Sequence, residues 1–67
     1  MKKYSKLYEQ MILYYTKVTT EVWSMTDKAQ IEDIVSRHVN NMFPRAVKLI
    51  QQGKYTEDEA IAVYPLN

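Results

Sequence analysis

Apolar residues recur along this chain with the period of a helix. Over residues 3–25, Tyr4, Leu7, Tyr8, Met11, Tyr15, Val18 and Val22 fall on one side of a helix of about 3.6 residues per turn, flanked by Ile12, Tyr14 and Met25, while Lys6, Gln10, Lys17 and Ser24 fall on the other. The stripe is wider than a two-stranded coiled-coil seam, which suits a helix packed against two neighbours. Residues 12–23 also admit a strand, because they are rich in Tyr, Thr and Val and would place Tyr14, Thr16, Val18, Thr20 and Val22 on one face. Helix is the expectation, since no second good strand exists to pair with.

Asp27 is a natural N-cap, with Gln30 placed to complete a capping box, so a second helix starts there. Ile31, Ile34, Val35, His38 and Met42 follow at helical spacing. Pro44 lacks an amide proton and disfavours the α region at Phe43, which predicts a kink or restart. A third helix with Ala46, Val47, Leu49 and Ile50 on its apolar side then closes at Gly53, the position where a left-handed residue ends a helix. Thr56-Glu57-Asp58-Glu59 combines a capping box with carboxylates at the positive end of a fourth, short helix that runs to about Tyr64, before Pro65. The expected architecture is all-α: a single compact helical domain over 1–67, of three main helices plus a short C-terminal one.

Composition narrows what such a domain can do. The chain has 67 residues, nine Lys and Arg against eight Asp and Glu, a formal charge of +1 and no Cys. A core this small supplies only about 3–5 kcal/mol, and disulfides are excluded, so a homo-oligomer or a protein partner is the expected extra stabiliser. The near-zero charge speaks against both a non-specific nucleic-acid binder and an acidic DNA mimic. Met1-Lys2-Lys3 begins like a signal peptide, but Lys6, Glu9 and Gln10 interrupt any apolar segment, and the run Met11–Tyr15 is far shorter than the roughly 20 residues that span a bilayer. A cytoplasmic location is expected. Binding of the helix at 3–25 to an anionic membrane surface through Lys2, Lys3 and Lys6 is disfavoured by Glu9 and Glu21.

Candidate chemistry is sparse. The single Gly rules out a phosphate-binding glycine loop, and one His with no Cys leaves no closed metal site, so neither cofactor nor metal is expected and the chain reads as non-enzymatic. His38 lies on the apolar stripe between Ile34 and Met42, as a boundary residue whose ring nitrogen bonds a carbonyl or water. Capping accounts for Glu57, Asp58 and Glu59. The aromatic content carries more: six Tyr and one Trp exceed what one small core hides, and these residues bind partners with large area and little rotamer entropy lost. Tyr4, Leu13, Tyr14 and Trp23 are the candidate partner-binding residues on the first helix, against the alternative that they are ordinary core and boundary positions.

The stretch Ala46-Val47-Lys48-Leu49-Ile50-Gln51-Gln52-Gly53-Lys54-Tyr55-Thr56-Glu57-Asp58-Glu59-Ala60-Ile61-Ala62 resembles the first half of a helix-turn-helix. That resemblance implies a DNA-associated regulator in which Arg45, Lys48 and Lys54 contact phosphates, although Tyr64-Pro65-Leu66-Asn67 stands where such families continue into a recognition helix. Leu7-Tyr8-Glu9-Gln10-Met11 is similar to a stretch of small helical phycobilisome-degradation adaptors. The reading preferred from the sequence is a small interaction protein: a regulator, adaptor or inhibitor that docks a Tyr- and Trp-rich helical face on a protein partner, in the style of a phage or mobile-element modulator of a host process.

Overall fold

The computed structural model describes residues 3–66. The expectations that touch Met1, Lys2 and Asn67 lie outside the described residues. The chain is all-α, in the order α1 (Ser5–Lys17), a π-helical turn (Val18–Val22) continuous with α1, α2 (Lys28–Gln51) and α3 (Glu57–Ala62). No strand is present among the described residues, so residues 12–23 take the helical alternative. Their threonines explain how: Thr16 Oγ1 donates to the Ile12 carbonyl at 2.7 Å, Thr20 Oγ1 to Thr16 O at 2.9 Å, and Thr19 Oγ1 to Tyr15 O. Hydroxyls bonded back onto the preceding turn satisfy themselves locally and strain the helical ladder. The ladder widens here, with Trp23 N bonded to Val18 O at 3.1 Å in the i→i+5 pattern. The extra residue in the turn shifts the phase of the stripe, carrying Thr19 into the core at 1% exposure and leaving Val22, which the sequence places on the apolar side, 71% exposed.

A second departure lies in α2, which runs unbroken through Pro44. The restart expected at Pro44 does not occur, and the third main helix is the last two turns of α2. Packing on both flanks overrides the proline: the Phe43 ring meets Tyr8 edge-on at 5.2 Å, and Ala46 is buried. Pro44 itself faces solvent, as does Asn40, whose carbonyl loses its helical donor and is open to water. The helix ends behave largely as the sequence predicts. Asp27 caps α2 by accepting from Ala29 N and Gln30 N, although among the described residues Gln30 does not return the bond that would complete a box. At the other end Gly53 takes φ 74°, with Lys54 N bonded to Leu49 O and Gly53 N to Ile50 O.

α1 and α2 are antiparallel, pairing Tyr8 with Phe43 and Tyr15 with His38. α3 runs alongside α1 in the same direction and is fastened to it at three points. Leu7 N donates to Glu57 Oε2 at 3.4 Å, Gln10 Nε2 to Tyr64 O at 2.7 Å, and Lys17 Nζ to Leu66 O. The buried core between the helices consists of Leu7, Met11, Val35, Val39, Ala46, Ala60 and Tyr64. It is thin for the shape it must hold. The 24 residues of α2 alone reach about 36 Å, which sets the longest dimension of 38 Å. The surface is 5057 Å², against about 4,450 Å² for a compact monomer of 8.0 kDa.

The proline gives the first testable consequence. Pro44→Ala restores the amide donor to Asn40 and removes the ring from the helix interior, a gain that outweighs the entropy regained by the unfolded chain. Urea unfolding followed by circular dichroism should show the variant more stable by about 2 kcal/mol. Equal or lower stability would mean that α2 does not run straight through this position.

Candidate functional site

The end of the π turn builds a partly open aromatic surface. Ser24 adopts φ 55° and Met25 N closes on Thr19 O at 3.1 Å, a left-handed stop made without glycine. That turn leaves Trp23 lying against α2, with its ring centroid 6.0 Å from that of His38 and the planes at 62°. Tyr15 also meets the imidazole, at 5.0 Å. His38 Nδ1 lies 2.9 Å from the Ile34 carbonyl. A carbonyl only accepts, so Nδ1 carries a proton and Nε2 is the nitrogen left to face the cleft. His38 is thus the boundary residue its place on the stripe predicts.

α3 completes the enclosure. The turn that follows it brings Val63 and Tyr64 against the end of α1, where Tyr14 meets Tyr64 edge-on at 5.3 Å and a 75° interplanar angle. Together with Ile34 and Met42 from α2, these side chains line a cleft of about 330 Å³. Its walls are largely apolar, and the polar groups on offer are imidazole, hydroxyl and indole N–H. The floor is the Tyr64 ring, whose burial, with the neighbouring Tyr15 phenol as the next contribution, pushes the Tyr64 hydroxyl up to about 12. Charged general acids and bases do not converge here. Among the described residues there is no group of three or more His, Cys, Asp or Glu side chains able to hold a metal ion. Within the same residues no helix is long and apolar enough to cross a membrane.

The structure divides the residues singled out from sequence. Tyr14 and Trp23 lie together in the cleft, Trp23 at 51% exposure. Leu13, one position from Tyr14 and so about 100° around α1, is 54% exposed on the outer face and lines none of the cleft. Tyr4 is at the start of α1 in a left-handed conformation, φ 62°, with its ring packed against the core. The three cations of the DNA reading are all exposed: Arg45 and Lys48 on neighbouring turns of α2, and Lys54 just past Gly53. Within the described residues no helix follows α3. The acidic group has structural duties, since Glu59 Oε1 accepts from Thr56 N at 3.0 Å and Glu57 serves the first turn of α1.

The part that Val63, Ile34 and Met42 play in the cleft escapes a sequence reading. Val63, 60% exposed on the cleft rim, looks from its place after Ile61 and Ala62 like the end of an apolar run. Ile34, His38 and Met42 stand at four-residue spacing on α2 and read as core, which their buried sides are. Searches of protein families, of curated proteins and of solved structures find no match to this chain.

Tyr64 makes the packing of this site measurable by pH. A hydroxyl raised from 10.0 to about 12 in the fold keeps its proton while the unfolded chain loses it. The contribution to stability is therefore complete below pH 10 and disappears as pH rises toward about 12. Spectrophotometric titration at the phenolate band should show one of the six tyrosines ionising late, together with loss of helicity. Six tyrosines ionising together near their ordinary value, with the fold intact, would contradict this packing.

Proposed function

We propose that this chain is a small non-enzymatic interaction protein, a regulator, adaptor or inhibitor, that docks its aromatic cleft on a protein partner. The observation that carries the reading is the half-exposed Trp23 in the cleft, with Val63, 60% exposed, lining the same cleft. A chain this short gains stability by hiding such residues, and no segment among those described covers them. A partner that inserts an apolar side chain between Trp23 and Val63 removes both from water, with the indole N–H, the His38 Nε2 and the Tyr hydroxyls available to its backbone. Trp and Tyr in such settings carry a disproportionate share of binding energy. The alternative, a DNA-associated regulator contacting phosphates through Arg45, Lys48 and Lys54, has exposed cations in its favour and a +1 net charge against it.

Affinity capture from the native host lysate, with and without nuclease, separates the two readings. Wild-type chain should retain a stoichiometric protein that survives nuclease. Trp23→Ala should lose about 2 kcal/mol of that affinity, a thirtyfold weakening, with its far-ultraviolet circular dichroism unchanged; Val63→Asp should do the same from the opposite rim. Retention that vanishes with nuclease, or that both variants leave untouched, would overturn the cleft reading.

A further inference from the structure

The outer face of α1 and its π turn carries a charge pattern that is complementary to itself. In chain order the side chains on this face are Lys6, Glu9, Leu13, Lys17 and Glu21: basic, acidic, leucine, basic, acidic. Turned end for end, the sequence of signs inverts, so a second copy laid antiparallel sets every charge opposite its complement. A parallel copy would set like against like. We propose that a second copy of this chain covers this face, helix α1 against helix α1, antiparallel about a two-fold axis at Leu13. Glu9 of each copy then faces Lys17 of the other, and Lys6 approaches Glu21, around a centre where the two Leu13 side chains meet.

The surroundings of Leu13 fit that role. It is 54% exposed, on a ridge between two shallow grooves: one toward α3, walled by Gln10, Asp58 and Ile61, the other walled by Tyr8 and Ile12. A ridge between grooves is the shape that helix pairs interlock. Lys17 Nζ donates to the Leu66 carbonyl, and with three N–H donors the ammonium keeps that bond while it turns a second donor to Glu9 of the other copy; what it gives up is its loose contact with Glu21, 3.9 Å at 41% and 61% exposure. This inference does not rest on the cleft reading, since the cleft lies on the other side of α1 and stays open in such a dimer.

Sedimentation velocity over a concentration series tests it on the full chain. Wild type should interconvert between monomer and dimer, more weakly at high salt. Leu13→Asp and Glu9→Lys should each raise the dimer dissociation constant about tenfold or more, with helicity retained; Lys17→Glu should weaken the dimer likewise, and because it also gives up the bond to the Leu66 carbonyl its thermal unfolding is read beside its sedimentation. An equimolar mixture of the Glu9→Lys and Lys17→Glu chains should recover dimer, because every Glu9–Lys17 contact across the interface is then between unlike charges. Trp23→Ala should leave the dimer unchanged, which separates this outcome from the fate of the cleft. A chain that stays monomeric at all concentrations would overturn the proposal, as would a dimer indifferent to Leu13→Asp and Glu9→Lys or a mixture without recovery.

Discussion

Leu7 and Met11, one turn apart and both fully buried, lie on the helix that packs against both α2 and α3, and the rest of the structure depends on that sharing. A chain of this size cannot give each helix its own partner. α1 therefore serves as the common wall: its stripe takes α2 on one side and α3 on the other, and its polar side chains hold the segment after α3 by the backbone, through Gln10 to Tyr64 and Lys17 to Leu66. The unusual width of the stripe is the sequence record of this arrangement. A helix with a single neighbour needs only half of it.

That stripe, the capping residues and Gly53 were legible because each acts over a turn or less. Asp27, Thr56 with Glu59, and Gly53 all do in the structure what short-range geometry asks of them. Pro44 was not legible, because its effect was decided by residues it does not adjoin in sequence: the Phe43–Tyr8 contact and the burial of Ala46 keep α2 whole at a position where local preference favours a break. The π turn was hidden for a related reason. Three threonines within residues 16–20 speak for a strand on propensity, and only their bonds back to Ile12, Tyr15 and Thr16 show how a helix accommodates them. Candidate sites were half readable. Exposed aromatic excess follows from counting and the separation of Leu13 from Tyr14 follows from helical spacing, but the grouping of Tyr14 with Trp23 depends on where the chain turns at Ser24.

The tyrosines show how one residue type can meet two demands at once. Tyr64 is a core residue and Tyr14 packs on it, while Tyr15 reaches from that cluster to His38 and so to Trp23. The rings thus run continuously from the interior to the surface, meeting at angles typical of edge-to-face and tilted pairs. A face built in this way is rigid where it is buried and accessible where it is not. Side chains held by their neighbours lose little freedom when a partner arrives, which is why an aromatic cleft of modest volume is a reasonable place for recognition.

The clasp between α1 and the residues of and after α3 also has a consequence for how the protein comes into being. Its three hydrogen bonds join residues 50, 54 and 49 positions apart, a reach more typical of a sheet protein than of a helical hairpin, and such contacts form slowly because a long loop must close first. During synthesis α1 emerges first, with a bare apolar stripe meant for two helices and only α2 to follow at once. The stripe cannot be covered until residues 57–66 have cleared the ribosome, so the nascent chain passes through a stage in which its most apolar surface is exposed. For the cell that interval is a window in which chaperones, or another nascent copy of the same chain, meet α1 before its own α3 does.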